Sequence, residues 1–332
     1  METKSDTIKV SPPRLVASII AGFNTVAAHA YLIIFPIILD LMVWLGPHVR
    51  VKAILQPFAA SFIKYLTDSG MMDSQDVIKT VKVFIQSILD QFNMLGWLRT
   101  WPVGVPSLLA NAGSMQTPVG GPSIIELPNL ISAFLSFILV FLIGTLFGSL
   151  FFNSISNASL GLKKPFSIRL SLWQFEQSVL LSILLVILAV LISFPISIIL
   201  SIVILVNAGL AEIVLLAIGF LLIWFLLPLV FSAHGIFLFR LNTVLSIATS
   251  VRLVRFFLPG TGLFLVMAYL LNEGMNLLWR MPSSNSWMTF VGVAGHAFIA
   301  SGLLAGSFIY YGNGMRWMQE NLQRVARPAA NV

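Results

Sequence analysis

Long apolar runs separated by short polar connections dominate this sequence. Six of them, at 28–45, 130–152, 179–206, 210–231, 262–279 and 288–311, hold almost no charge. A helix crosses a hydrocarbon core of roughly 30 Å with about 20 apolar residues. The pattern therefore predicts an all-α integral membrane protein, a six-transmembrane-helix bundle. The third run is too long to stand straight across a bilayer, so Pro195 is expected to kink it, or its end to re-enter the interface. Asn207-Ala208-Gly209 and the stretch from Pro282 to Ser286 read as tight hairpin turns, and Trp279 and Trp287 flank the second as interfacial aromatics.

Segment 46–129 follows another rule. Val77, Val81, Phe84, Ile85, Ile88, Leu89 and Phe92 recur at helical spacing, with Asp76, Lys79, Gln86 and Asp90 on the other face. Asp73 or Ser74 is placed to cap that helix. A weaker helix at 58–66 precedes it, and after Trp97 the Gly, Pro and Ser content predicts an irregular loop. The amphipathic stripe is expected to lie on the membrane surface or over the mouths of the spans.

A further pattern recurs before the first, third and fifth spans. Residues 15–27, 166–177 and 241–257 read as amphipathic in-plane elbows, each leading into an outward helix and a return. In the clearest, Leu241, Val244, Leu245, Ala248 and Val251 share a face, Arg252 and Arg255 are neighbours, and Pro259-Gly260 breaks the chain before the next span. Three elbow-hairpins in series follow from this reading, organised as 1–27, 28–45, 46–129, 130–152, 153–178, 179–206, 210–231, 232–261, 262–279, 288–311 and 312–332. The elbow from Ser246 through Val251, Arg252, Val254 and Arg255 to Phe256 resembles the juxtamembrane stretch of bacterial multi-pass proteins related to the membrane domain of some glycerophosphodiester phosphodiesterases. That resemblance covers about 165–311 and implies a six-helix bundle with amphipathic elbows. It does not imply the phosphodiester reaction, because no catalytic domain accompanies it here.

Charge sets the orientation. Lys163, Lys164 and Arg169 fall in one short loop and Arg240, Arg252 and Arg255 in another, while the turn at 207–209 has no basic residue. Lys4, Lys9, Arg14, Arg316, Arg324 and Arg327 lie at the two termini. Short basic loops stay inside, so both termini are expected in the cytoplasm of a cell inner (plasma) membrane protein. The outer basic residues, Arg280 aside, are Arg50, Lys52, Lys64, Lys79, Lys82 and Arg99 in the one long segment, where charge matters little. Ala28-His29-Ala30 has the form of a signal cleavage site, but the apolar run continues to Leu45, which favours a retained helix.

Composition excludes several functions. The net charge is +7, yet the basic residues sit between apolar runs instead of along one face, so no nucleic-acid partner is expected. With no cysteine, disulfides, thiolate metal sites and cysteine nucleophiles are ruled out. There is no phosphate-binding GxxxxGK[ST], nucleophile-elbow GxSxG or dinucleotide GxGxxG, and no HExxH ligand spacing. No catalytic, cofactor or metal residues are assigned.

One polar cluster stands out inside the apolar runs. Glu273, Asn276 and Arg280 share a helix face, and His296 lies at a similar depth in the returning span. Asp40 and Glu212 sit toward the same side and could join a polar chamber. An interhelical Glu273–Arg280 pair with a packed His296 is the structural alternative to a substrate or ion path. His29 and His234 read as interfacial or packing residues. Gly144-to-Gly148 and Gly302-to-Gly306 allow close backbone approach, expected to pack the second and sixth spans within one chain. The partners foreseen are the lipid bilayer and other membrane proteins. The leading expectation is a non-enzymatic bundle that organises them; the other is a transporter or channel with a polar path through Glu273, Asn276, Arg280 and His296.

Overall fold

The computed structural model describes residues 12–69, 74–111, 116–161 and 167–326. Lys4, Lys9, Asp73, Lys163, Lys164 and Arg327, used above for orientation or capping, lie outside the described residues. The chain is overwhelmingly helical. Five helices are long and apolar enough to cross a membrane, or six if the bent pair 15–28 plus 30–45 is one span.

The elements are α1 (Leu15–Ala28), a 3₁₀ turn (Ala30–Ile33), α2 (Ile34–Leu45), β1 (His48–Arg50), α3 (Lys52–Asp68), α4 (Gln75–Gln91), a 3₁₀ turn (Met94–Leu98), β2 (Ile124–Glu126) and α5 (Leu130–Ser159). There follow α6 (Ile168–Val206), α7 (Ala208–Leu226), a 3₁₀ turn (Leu227–Leu229), α8 (Ser232–Phe239), α9 (Thr243–Phe256), α10 (Leu258–Trp279) and α11 (Met288–Ala326). The chain forms two compact units. The first takes the N-terminal part through His29, Phe152–Leu271 and the chain from Gly302 on; the second takes Ala30–Phe151 and Asn272–Ser301.

The boundaries differ from the sequence expectation in instructive ways. The run at 28–45 is not one helix, because the chain turns through 95° between α1 and the segment after His29. With 12 residues, α2 rises about 18 Å and cannot cross a bilayer alone. The second elbow is not a separate element either. Ser167 caps α6, its side chain accepting from Leu170 N, and the 39-residue helix runs unbroken through Pro195. Serines flank the proline closely: Ser193, Ser197 and Ser201 fold their hydroxyls back onto carbonyls of the same helix. The third break falls at Phe257, and Pro259-Gly260 lies in the first turn of α10, where a missing N–H costs nothing. The helix that holds the last apolar run continues past 311, to Ala326.

In the first unit the elbows are built opposite to a soluble amphipathic helix. Val244, Leu245 and Ala248 of the predicted apolar face of α9 are exposed, while Thr243, Ser246, Ser250, Leu253 and Val254 are buried. The start of α6 repeats this, with Ser171, Gln174, Gln177 and Ser178 inside and Ile168 and Leu172 outside. Lipid tails are as apolar as leucine, so nothing drives apolar faces inward there, and small polar residues pack and hydrogen-bond instead. Thr243 donates from its backbone N–H to Gln177 Oε1 at 2.9 Å and from its hydroxyl to the Gln177 carbonyl at 2.9 Å. Ser250 mends the break between α7 and α8. It donates to the Pro228 carbonyl at 2.7 Å and accepts from Phe231 N at 3.1 Å. Beside it, Ser246 donates to the Ser232 carbonyl at 2.5 Å.

Gly302 and Gly306 pack as small-residue motifs should, within the chain, and their partner is α1. A Cβ on Gly22 would fall 2.3 Å from the Gly302 carbonyl oxygen and 2.3 Å from Gly306 N, and Phe23 covers Gly302. Gly144 and Gly148 do not pack a span. They face the backbone of Leu98 and of Val103–Gly104, in the segment read as an irregular outer loop.

In the second unit α3 and α4 form a hairpin tied by Lys52 Nζ to Asp90 Oδ1 at 2.6 Å. Ser74 is the N-cap of α4 but makes no side-chain cap bond. The predicted stripe is bare as expected of a surface helix: Val77, Phe84 and Ile88 are exposed and of this helix only Leu89 is buried. A short parallel ladder, His48–Arg50 against Ile124–Glu126, makes the chain not strictly all-α. Near the end of α2, Trp44 donates its indole N–H to the carbonyl of Ser284, in the turn between α10 and α11, at 2.9 Å. Trp287 is exposed and edges onto Trp44, whereas the Trp279 ring turns inward onto Gly295.

Candidate functional site

The sequence-predicted cluster is partly assembled. Glu273 and Asn276 sit one turn apart on α10, and His296 lies on α11, which returns from the 281–287 turn. His296 Nδ1 is 2.7 Å from Asn276 Oδ1. The Asn276 amide donates to Glu273 Oε1 at 3.4 Å and Asn272 donates to the same oxygen at 3.0 Å. A carboxylate only accepts, so the NH₂ of Asn276 faces Glu273 and its carbonyl oxygen faces the imidazole. His296 Nδ1–H is then the donor, and Nε2 carries the free lone pair. That atom is buried and meets no hydrogen-bond partner among the described residues. The result is a relay of fixed polarity, His296 to Asn276 to Glu273.

Arg280 does not join it. Its side chain is exposed, and the only ion pair among the described residues is Lys52–Asp90, so the expected Glu273–Arg280 bridge is absent. Arg280 acts on His296 only through its charge, as does Arg99. Asp40 and Glu212 also stay out of the relay. Glu212 is exposed on α7. Asp40 is fully buried and spoken for: it accepts from the Ser107 hydroxyl, from Leu108 N at 3.0 Å and from Leu109 N at 3.0 Å. Ser107 Oγ in turn accepts from Ala110 N at 2.9 Å, closing a small turn.

This clamp is the feature that sequence reasoning missed. Val103, Val105, Ser107, Leu108 and Leu109 are all buried, although they belong to a Gly/Pro-rich loop. The loop reaches Gly144 and Gly148, which lie about 21 and 27 Å along α5 from Leu130. Irregular backbone at such a depth is tolerated where protein surrounds it and satisfies its polar groups. Two signals were present. Residues 100–125 carry no charge, and Asp40 is the sole charged group in the first apolar run. Only a donor-rich loop could use that carboxylate.

An apolar slot of about 50 Å³ beside the clamp is lined by Phe35, Leu39, Leu98, Val105, Ile143 and Phe147. Among the described residues no group of three His, Asp or Glu side chains is placed to hold a metal ion. In the first unit His234 is buried among Phe231, Phe308 and Tyr311 with Nε2 2.7 Å from Ser307 Oγ, a packing histidine and not an interfacial one. The chain matches no protein-family model, no curated protein and no solved structure.

Proposed function

We propose that this chain is a non-enzymatic, multi-pass bundle of the cell inner membrane that organises lipid around itself. In this reading the bent pair of α1 and α2 makes the first of six crossings, with both termini, the start of α6 and α9 on the cytoplasmic side. The observation that carries it is the bareness of the α6–α7 hairpin. Only 6% of the most apolar stretch of either segment is buried, against 50% in α11. A helix pair this apolar and this exposed meets acyl chains along its length. The outward apolar faces of α9 and of the start of α6 extend the same surface to the interface, where Arg169, Arg252 and Arg255 are exposed. Each such residue near an anionic leaflet contributes about 1 kcal/mol. The resemblance of the α9 elbow to the phosphodiesterase-associated membrane domain supports the same architecture.

The test is extraction of the protein with its surrounding bilayer in a polymer disc. Anionic lipid is expected above its share in the parent membrane; the bulk ratio would contradict the reading.

A transporter or channel is the second reading, favoured by one observation, the buried and unpartnered Nε2 of His296. Glu273→Gln and His296→Ala separate the two. In the lipid-organising reading both variants stay folded and keep the anionic enrichment, with proteoliposome permeability unchanged. In the transport reading proton or solute flux into proteoliposomes is present in the parent and lost in both.

A further inference from the structure

We infer that the first unit carries a discrete binding site for one phosphate-bearing anionic lipid, in the recess between the start of α1 and the last third of α11. This rests on the lipid-organising reading and narrows it to one ligand class and one place. The recess has a volume of about 410 Å³, and its wall includes Arg14, Ser18, Asn313, Arg316 and Glu320.

Two guanidinium groups border it, with no carboxylate of the described residues in contact. Neither Arg14 nor Arg316 forms an ion pair among the described residues, and Arg316 is held by Nη2 donating to Asn313 Oδ1 at 2.6 Å. That bond fixes the fork of Arg316 while leaving its other N–H groups free, the arrangement that suits bidentate phosphate recognition. Arg14 is the N-cap of α1 and supplies no side-chain cap, so the first-turn amides of α1 add donors on the same side. Ser18 is unavailable, because its hydroxyl donates to the Arg14 carbonyl at 2.8 Å. Among the described residues Glu320 is the one acid in the wall, set against two arginines.

The rest of the wall identifies the source of the phosphate. Ala17, Ala21 and Ile309 continue the recess along α1 and α11 as an apolar surface. Arg316 lies about 42 Å along α11 from Met288, the thickness of a bilayer with its headgroups. A headgroup at the arginines would thus have acyl chains running down an apolar groove. Free inorganic phosphate uses only the upper half of such a site, and a zwitterionic headgroup brings its own cation against the guanidinium groups.

The full-length protein in detergent, titrated with dioleoylphosphatidylglycerol, dioleoylphosphatidylcholine or inorganic phosphate and read by native mass spectrometry, tests this. One phosphatidylglycerol per chain is expected, bound at least tenfold more tightly than either other probe. Arg14→Gln with Arg316→Gln should weaken it roughly thirtyfold, at about fivefold per charge. Glu320→Gln should tighten it a few-fold, a change that a merely misfolded variant does not produce. Phosphate binding as tightly as the lipid, or phosphatidylglycerol affinity unmoved by both sets of substitutions, overturns the site. If discs from the parent protein are still enriched in anionic lipid, the site alone has failed; if the enrichment is also absent, the wider reading has failed with it.

Discussion

Gly22→Leu is expected to abolish the packing of α1 on α11 and to cost about 3 kcal/mol or more. The two helices approach so closely that a Cβ at this position lies 2.3 Å from the Gly302 carbonyl oxygen and from Gly306 N. Both obstacles are backbone atoms, so no rotamer change relieves the clash; one helix has to move away. Separation then exposes the buried side chains Ser18, Ile19 and Val26 of α1. Gly219→Leu is the control. It introduces the same side chain into α7, but nothing lies within 4 Å of its Cβ, and the substitution gains helix propensity. Thermal unfolding in detergent, followed by circular dichroism, should show a large loss for Gly22→Leu and none for Gly219→Leu. Equal behaviour of the two would mean that the α1–α11 contact is not made.

Asp40→Ala carries the second large effect, and its origin is different. Nothing is overpacked; instead the Ser107 hydroxyl and the amides of Leu108 and Leu109 lose their acceptor inside a buried loop. Each unsatisfied buried donor costs about 1–3 kcal/mol, so the loop loses about 3 kcal/mol or more. Asp40→Asn retains one acceptor oxygen and should fall between the two. Hydrogen exchange reads the clamp directly. In the alanine variant the Leu108 and Leu109 amides should exchange about a hundredfold faster, while amides in α6 keep their protection. Unchanged protection at Leu108 and Leu109 would mean that the carboxylate does not hold the loop.

These two sites show what the sequence could and could not disclose. Apolar run length located α5, α7, α10 and α11 within a few residues at most ends, because in a bilayer that length is set by the solvent. Periodicity located α4 and α9 for the same geometric reason. The sequence could not tell which face of α9 turns inward. The rule that apolar faces seek the core assumes water outside, and Val244 and Leu245 are exposed while Ser246 and Ser250 are buried.

Small-residue spacing disclosed close approach but not the partner. Gly302 and Gly306 meet α1, whereas the identical spacing at Gly144 and Gly148 accommodates a loop. Helix spacing put Glu273, Asn276 and Arg280 on one face, yet Asn276 and not Arg280 makes the link to His296. The lone carboxylate and the uncharged loop hinted at the buried clamp, but two of the partners of Asp40 are backbone amides, which leave no mark on residue identity. The 95° turn at His29 was equally hidden, since the apolar run passes through it without a Gly or Pro.

The arrangement of the whole chain about the membrane rests on which side holds the α3–α4 hairpin and which holds α9. With no cysteine in the sequence, single substitutions report this without background. Lys79 on α4 and Arg252 on α9 are both exposed, so access depends on the membrane alone. With a membrane-impermeant maleimide on intact cells, Lys79→Cys should be labelled at once and Arg252→Cys only after permeabilisation. Labelling of Arg252→Cys in intact cells, with Lys79→Cys protected, would contradict the orientation proposed above.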